Sequence, residues 1–145
     1  MRIIPFEERY RDDMIFMVLE AKNALGRVPT LNEDLLDIRA NYLDRGEMFW
    51  LALADSGRVI GCGGYNEWGK GGAVKLHRLY VKHDLKRRGI GTALLETVEE
   101  YIKEKGYSAI HVHLGGPEYF ESRGFYTKHG YVEYAPDHMK KDLLK

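Results

Sequence analysis

The chain has 145 residues, of which 44% are hydrophobic and 30% charged, a size and composition that suit a single domain spanning residues 1–145. Its 22 basic and 22 acidic side chains balance, which argues against nucleic acid or anionic lipid as a partner and favours a small molecule or a peptide. One cysteine excludes an internal disulfide, and neither a signal-peptide core nor a membrane-length apolar run is present, so we expect a cytoplasmic protein.

The first third of the chain predicts a short strand followed by two helices. Residues 2–6 have the composition of a strand, and apolar residues recur at helical spacing over residues 14–25. Thr30 and Glu33 have the spacing of a capping box, and Gly46 is a suitable C-terminal stop. We therefore expect the second helix to follow the first directly.

The middle of the chain predicts three strands. Residues 48–54 and 59–65 flank a short polar turn that contains a glycine, which is typical of a β-hairpin. Residues 73–81 predict a further strand, but the apolar positions of this strand change face halfway along. A bulge near His77 and Arg78 would explain the change.

The last part of the chain predicts alternating helices and strands. Apolar residues at helical spacing over residues 90–106 predict the best-patterned helix, and alternation over residues 109–114 predicts a strand that returns parallel to the one before this helix. Pro117 is suited to open a short helix that runs to about Lys128. Residues 131–134 and 138–143 predict the final strands.

The turn before the best-patterned helix carries the strongest chemical signal. Gly89 and Gly91 let a ligand approach the backbone closely, and the first N–H groups of the helix point outwards with positive dipole character. Lys86, Arg87 and Arg88 add positive charge beside them. The pattern indicates a phosphate-binding turn, although a solvated basic loop before an ordinary helix has the same composition. Neither the third glycine of a dinucleotide-binding motif nor the G-K-[ST] of a P-loop is present.

Two segments together resemble the GNAT family of N-acetyltransferases. The first is Leu79-Tyr80-Val81 followed by Lys86-Arg87-Arg88-Gly89-Ile90-Gly91, and the second is Tyr126-Thr127-Lys128-His129-Gly130-Tyr131, which matches the family pattern Y-x-K-x-G-[FY]. The predicted order of elements is also that of the family over nearly the whole chain. The resemblance implies an α/β GNAT fold, with a mixed central sheet of about six to seven strands flanked by about four helices. In this fold the fourth and fifth strands are parallel and splayed.

The resemblance also implies an activity and a set of site residues. The enzyme would transfer an acetyl group from acetyl-CoA, its co-substrate, to an amine of a small molecule or peptide by direct attack in a ternary complex. Tyr126 would act as the general acid, unless its ring only packs between helix and sheet. Homodimers are common in the family, which leaves a homodimer possible. The residues implied to hold acetyl-CoA are Leu79, Tyr80, Val81, Lys86, Arg87, Arg88, Gly89, Ile90, Gly91, Thr92, Tyr119 and Lys128.

No motif identifies the general base. Lys75 stands on the fourth predicted strand, where many family members carry a glutamate. The candidates are Glu67 after the third strand, His77 at the bulge and His113 on the fifth strand, each also compatible with a structural role. Water alone would serve a weakly basic amine. The lysine motivates an alternative function, a GNAT-fold module that binds acetyl-CoA without catalysis, as a sensor or partner domain.

A metal site is not expected. His111 and His113 share one face of a predicted strand, but no third ligand accompanies them at a diagnostic spacing. The resemblance likewise implies no metal cofactor.

Overall fold

A computed structural model describes residues 1–69, 71–114 and 120–143, with the backbone alone at residues 120 and 121. These residues contain seven strands and four α-helices in mixed order. The elements are β1 (Arg2–Pro5), α1 (Arg11–Ala24), α2 (Ile38–Asn41), β2 (Phe49–Leu53), β3 (Val59–Trp68), β4 (Ala73–Val81), α3 (Ile90–Glu104), β5 (Ala109–His113), α4 (Phe120–Lys128), β6 (Val132–Ala135) and β7 (His138–Asp142).

The strands form one sheet in the order β1-β2-β3-β4-β5-β7-β6. β2 pairs antiparallel with β1 and with β3, and β7 pairs antiparallel with β5 and with β6. β4 and β5 run parallel, as two strands joined by a crossover helix must. The predicted mixed α/β sheet with a parallel fourth and fifth strand is therefore confirmed.

The chain divides into two compact units. The first unit consists of Met1–Asn66 and His77–Val98, and the second consists of Glu67–Leu76 and Glu99–Lys145. The expectation of a single domain stays a prediction. No helix in the part of the chain that the structure describes has the length and apolar character needed to cross a membrane.

The core of the first unit lies between α1 and the central strands. All five residues of β2 are buried, because this strand is covered on both faces. In α1, Met14, Met17, Val18 and Ala21 recur at intervals of three or four residues and are at most 2% exposed. Lys22 lies beside this apolar stripe and is also buried.

The predicted second helix is interrupted, so that expectation was wrong. The segment contains a 3-10 turn at Glu33–Leu36, the four-residue α2, and a second 3-10 turn at Leu43–Arg45. Thr30 does not act as the predicted N-cap, and its N–H donates to the carbonyl of Val28 at 2.7 Å. The cap is Asp37, whose carboxylate accepts from the N–H of Ala40 at 3.0 Å. Gly46 does end the segment, in a left-handed conformation with φ 81°.

Glycines on β3 allow α3 to pack closely on the sheet. A Cβ atom at Gly61 would lie 2.8 Å from Cδ1 of Leu94 and 3.1 Å from Cγ2 of Ile90. A Cβ atom at Gly63 would lie 3.2 Å from Cδ1 of Leu79. The first two turns of α3 therefore rest on bare backbone, which fixes the position of the turn that precedes the helix.

Candidate functional site

β4 leaves the extended conformation at Arg78, which has φ 58°. This is where the apolar pattern changes face: Val74 and Leu76 are buried, whereas Leu79 and Val81 are half-buried. A non-glycine residue with positive φ is uncommon and points to a local constraint. The departure from regular strand geometry agrees with the predicted bulge near His77 and Arg78.

The parallel register of β4 with β5 lies at the start of β4. It pairs Ala73 with Ala109, Val74 with Ile110 and Lys75 with His111, although β4 continues to Val81. The ammonium of Lys75 lies 4.6 Å from the centre of the Trp68 ring, which is a cation–π contact. Lys75 therefore occupies its strand position without offering a proton acceptor.

The turn between β4 and α3 has alternating backbone handedness. Arg87 has φ 66° and Gly89 has φ 83°, whereas Arg88 between them keeps a negative φ. Successive residues of opposite handedness direct their N–H groups towards one concave side, which is an anion-binding arrangement. The first helical hydrogen bond runs from the N–H of Ala93 to the carbonyl of Gly89 at 3.0 Å, so the amides of Ile90 and Gly91 precede it.

Positive side chains surround this turn. Arg87 and Arg88 are exposed, and within the described ranges no carboxylate forms an ion pair with either guanidinium. Lys86 is half-buried, extended in backbone conformation, and makes contacts of its own. The helix dipole of α3 adds positive character at the same end. The turn has the geometry and charge to hold a phosphate or a diphosphate.

Tyr126 lies on α4 and is 8% exposed. Its ring centre is 5.2 Å from that of Phe125 and 5.3 Å from that of Tyr131. Burial raises the pKa of the Tyr126 phenol, so the hydroxyl keeps its proton at neutral pH and can donate it. Lys128 is exposed two residues later, and Tyr119 lies outside the described residues.

The three base candidates have different surroundings. Glu67 accepts a hydrogen bond from the hydroxyl of Tyr107 at 2.6 Å. His77 is half-buried and has contacts of its own. His113 is exposed, and its ring stacks on that of His138 with centres 4.4 Å apart. Burial, His138 and Lys75 lower the pKa of His113, so its imidazole is neutral at physiological pH and can accept a proton.

Other histidines lie along the same strand pair. His113 is opposite His138 in the register of β5 and β7, and Nδ1 of His111 is 3.0 Å from the hydroxyl of Tyr134. Across the described residues, no three histidine, cysteine or acidic side chains come together in a group able to hold a metal ion.

Sequence reasoning missed a group of polar and charged residues in the first unit, here named the Asp34 cluster: Lys22, Asp34, Tyr42 and Arg78. The guanidinium of Arg78 donates from Nε and Nη2 to the Asp34 carboxylate, at 3.1 and 2.9 Å. The Tyr42 hydroxyl donates to the same carboxylate at 2.6 Å. Burial disfavours ionisation of Asp34, but these hydrogen bonds outweigh it and lower the pKa of Asp34.

The Asp34 cluster holds the irregular part of β4 in place. Arg78 is anchored through its side chain by Asp34, and its carbonyl accepts a hydrogen bond from Sγ of Cys62 at 3.2 Å. Contacts on both the side chain and the backbone explain why a non-glycine residue keeps a left-handed conformation. A lysine beside the apolar stripe of α1 was the one sequence feature that could have indicated the cluster.

Comparison with known proteins identifies the family. The model of the acetyltransferase (GNAT) family matches residues 11–131. A protein of Azospirillum brasilense named IAA acetyltransferase is 28% identical, over 96% of this chain and 94% of that protein. A GNAT acetyltransferase structure from Staphylococcus aureus Mu50 has a TM-score of 0.86 at 21% identity, with 99% of both chains covered. The PaiA N-acetyltransferase of Thermoplasma acidophilum, solved with coenzyme A, has a TM-score of 0.76 at 22% identity, covering 98% of this chain and 99% of that one.

The chain belongs to the GNAT family of acetyltransferases. The resemblance carried by the segments 79–91 and 126–131 is thereby confirmed, as is the GNAT fold. The class of activity is acyl transfer.

Proposed function

We propose that this protein transfers the acetyl group of acetyl-CoA to an amine of a small molecule or peptide in a ternary complex. The observation that carries the proposal is the turn of alternating handedness from Arg87 to Gly89, which leads into the start of α3. Such a turn, with exposed Arg87 and Arg88, matches the diphosphate of coenzyme A in charge and in the need for backbone donors. Family membership supports the same assignment.

Transfer requires that one bond form as another breaks. The amine nitrogen attacks the thioester carbonyl carbon, a C–N bond forms, and the C–S bond breaks. One proton leaves the nitrogen and one is taken up by the departing thiolate. A backbone N–H near Leu79 or Tyr80, beside the irregular residue Arg78, is our candidate to polarise the carbonyl oxygen.

Tyr126 is the proposed donor of the thiolate proton. Its phenol is buried and keeps its proton, because burial raises its pKa. Within the described part of the chain its hydroxyl is not committed to a structural hydrogen bond, in contrast to Tyr131, which donates to Glu99 at 2.7 Å. His113 is the candidate base that the electrostatics favour, since its imidazole is neutral at physiological pH. Glu67 and His77 stay alternatives.

Two glycines that flank α3 offer a matched test of the cofactor turn. Gly89 before the helix and Gly106 after it have φ 83° and 91°, and a Cβ at either would meet nothing within 4 Å. Alanine at either position costs about 1–2 kcal/mol of strain in the left-handed region. We expect Gly89→Ala to weaken acetyl-CoA binding about tenfold, because leaving the binding conformation relieves that strain. Gly106→Ala should lose similar stability and bind normally.

The measurement is calorimetric titration with acetyl-CoA, beside unfolding curves for both variants. Equal affinities in the two variants would contradict the assignment of the turn. Failure of the wild-type protein to bind acetyl-CoA would overturn the proposed cofactor itself.

Turnover by the Tyr126→Phe variant tests the assignment of Tyr126 as the general acid. Tyr126→Phe should lower kcat by about 10²-fold or more while acetyl-CoA affinity stays unchanged, because only proton donation is lost. Tyr10→Phe, at a half-buried tyrosine on the first unit, is the control for removal of a phenol. Coenzyme A release is followed chromatographically against pooled amines and peptides. Unchanged kcat in Tyr126→Phe would contradict the assignment.

Lys75 on β4 favours one alternative, a module that binds acetyl-CoA without catalysis. Saturable acetyl-CoA binding with no amine-dependent release of coenzyme A would support that alternative over the enzyme.

A further inference from the structure

Arg78 keeps a left-handed backbone against a steric cost. Its φ of 58° lies in the region where Cβ crowds the following carbonyl oxygen, so that residues other than glycine rarely adopt it. A residue stays in this region only where the surrounding contacts force it to. The contacts of Arg78 within the first unit therefore fix the course of β4 at this point.

Arg78 is held at its side chain and at its backbone. The guanidinium donates from Nε and Nη2 to the Asp34 carboxylate, at 3.1 and 2.9 Å. The carbonyl oxygen accepts a hydrogen bond from Sγ of Cys62 at 3.2 Å. One of these contacts comes from the 3-10 turn after α1 and the other from β3. Together they leave the peptide group that follows Arg78 little freedom to rotate.

The thiol contact sets the direction of the N–H of Leu79. The carbonyl of Arg78 and the N–H of Leu79 belong to one planar peptide group. No cis peptide bond occurs in the described part of the chain, so the two groups point in opposite directions. Because the carbonyl faces Cys62 on β3, the N–H of Leu79 points away from β3.

The N–H of Tyr80 faces the other way. The N–H of Lys82 donates to the carbonyl of Ile60 on β3 at 2.9 Å, and every second residue of a strand faces the same neighbour. Burial raises the pKa of the Cys62 thiol to about 12, and a backbone hydrogen bond with Tyr80 opposes that rise. Both observations direct the Tyr80 amide to β3. Leu79 therefore provides the N–H that is directed away from the sheet interior.

Asp34 is itself held firmly. The Tyr42 hydroxyl donates to its carboxylate at 2.6 Å. Tyr42 is 1% exposed, and its ring centre lies 5.0 Å from that of Phe49. A packed aromatic ring has few alternative rotamers, so its hydroxyl is a fixed point for the carboxylate. The chain of contacts from Phe49 through Tyr42 and Asp34 to Arg78 thus links the buried core to the irregular residue of β4.

We infer that Asp34 and Tyr42 are positioning residues for acetyl transfer, which hold Arg78 left-handed so that the N–H of Leu79 is aimed at the thioester carbonyl. The inference rests on the proposed function. An N–H group stabilises the charge that develops on the carbonyl oxygen best when it is in place before the reaction. Asp34 and Tyr42 act through Arg78 and take no part in proton transfer.

A purely structural role for the two residues predicts different behaviour. In that role their variants would unfold more easily and would still transfer acetyl at the wild-type rate while folded. A positioning role predicts a lower kcat in the folded protein. The affinity for acetyl-CoA should stay unchanged, because the turn from Arg87 to Gly89 is the proposed holder of the diphosphate. The two roles are therefore separable by kcat and affinity measured together.

The experiment measures kcat for Asp34→Asn and Tyr42→Phe with an amine found in the pooled assay, at a temperature where each variant is folded. Asp34→Asn should lower kcat about 10- to 100-fold, the scale of a misplaced carbonyl donor. Tyr42→Phe removes one hydrogen bond and keeps the Arg78 pair, so it should lower kcat about threefold. It also covers the case in which Asp34→Asn does not fold. Wild-type kcat in the folded variants would overturn the inference.

Asp13→Asn is the matched control in the same unit. The Asp13 carboxylate also accepts the fork of an arginine, Arg58, with Nη2 at 2.8 Å, and the N–H of Val59 at 2.8 Å. The pair lies between α1 and the start of β3 and has no contact with Arg78 in the described ranges. Asp13→Asn should lose stability and keep the wild-type kcat. An equal fall of kcat in Asp13→Asn and Asp34→Asn would overturn the inference.

A double-mutant cycle tests whether Asp34 acts through Arg78. Arg78→Met removes the guanidinium and keeps an unbranched side chain. In that background, Asp34→Asn should lower kcat by less than about twofold more, because residues that act as a unit are not additive. Losses that multiply in the double variant would overturn the inference, since Asp34 would then act independently of Arg78.

Infrared spectroscopy separates failure of this inference from failure of the proposed function. The protein is saturated with acetyl-CoA that is isotope-labelled at the acetyl carbonyl carbon, without any amine. The C=O stretch should lie at higher wavenumber in Asp34→Asn than in the wild-type protein and in Asp13→Asn, because a misaligned N–H polarises the carbonyl less. Equal frequencies with acetyl-CoA bound would overturn the inference alone. Absence of acetyl-CoA binding by the wild-type protein would overturn the proposed function, and this inference with it.

Discussion

Two clusters of polar and charged residues in this protein contain the same kind of hydrogen bond but differ in their balance of charge. In the Asp34 cluster of the first unit, a tyrosine hydroxyl donates to a carboxylate at 2.6 Å. In the second unit, Tyr131 donates to Glu99 at 2.7 Å, and Lys141 lies 3.3 Å from the same carboxylate. We name this second group the Glu99 cluster. Its one cation balances its one anion, whereas the Asp34 cluster has two cations, Lys22 and Arg78, for one anion.

The two clusters differ in how completely their charges are matched. The Glu99 cluster links α3 to β7 and to the residue before β6, and it satisfies its own charges. The Asp34 cluster holds the irregular strand residue Arg78 in place, and it leaves the buried ammonium of Lys22 with only a backbone carbonyl as acceptor in the described part of the chain.

The largest effect is expected from Asp34→Asn. This change leaves Arg78 and Lys22 without a carboxylate, and we expect the free energy of unfolding to fall by roughly 2–4 kcal/mol, the scale of a half-buried charged pair that loses one partner. Denaturant unfolding measures the loss, with Asp12→Asn at an exposed position of α1 as the control. A cost below about 0.5 kcal/mol would show that Arg78 does not depend on Asp34.

Glu99→Gln should cost less, about 1–2 kcal/mol. The amide oxygen can still accept the hydrogen bond of Tyr131, and Lys141, with a side chain 31% exposed, can turn into water. The same unfolding assay compares the two variants. A loss equal to that of Asp34→Asn would remove the distinction between the clusters.

Acid should reduce the difference in the free energy of unfolding between the wild-type protein and Asp34→Asn. The folded-state pKa of Asp34 is lowered, so its contribution to stability is fully present above the ordinary value near 3.9 and is lost as pH falls through the folded-state pKa. Unfolding curves from pH 7 to pH 2 should therefore show a constant difference at neutral pH that shrinks below about pH 4. A difference independent of pH would contradict this electrostatic account.

The smallest changes in stability are expected from substitution of the two lysines, Lys22 and Lys141. Lys22→Met should change stability by less than about 0.5 kcal/mol or raise it, because it removes a buried charge that has no acidic partner in the described ranges. Lys141→Met should cost about 0.5–1 kcal/mol, since it breaks a hydrogen-bonded pair. Thermal or denaturant unfolding measures both changes in stability. A larger loss in Lys22→Met than in Lys141→Met would refute the comparison.

Much of the fold follows from local patterns. Alternation located the strands, and the change of face within β4 predicted an irregularity where Arg78 has positive φ. Gly89 before α3 and Gly91 in its first turn indicated the turn, because close backbone approach needs glycine. The capping box at Thr30 failed, since the N–H of Thr30 donates to Val28 and Asp37 caps a shorter helix instead. Competing local hydrogen bonds cannot be ranked from the sequence.

The Asp34 cluster could not be predicted, because its members are scattered from residue 22 to residue 78. Each alone resembles an ordinary surface charge. Only the tertiary structure shows that the Asp34 carboxylate already accepts hydrogen bonds from Arg78 and that Lys22 is buried near it. A lysine among the apolar residues of α1 was a hint of burial, but not of what the ammonium would meet.

The buried thiol of Cys62 has a practical consequence. Burial raises the pKa of this only cysteine to about 12, and its Sγ is held against the carbonyl of Arg78. The native protein should therefore be silent towards maleimides and disulfide reagents, which attack thiolates. Such reagents can report free coenzyme A without background from the protein. A cysteine introduced at Val28, which is 77% exposed, would then accept a fluorophore alone and give an optical signal from the segment beside Lys22.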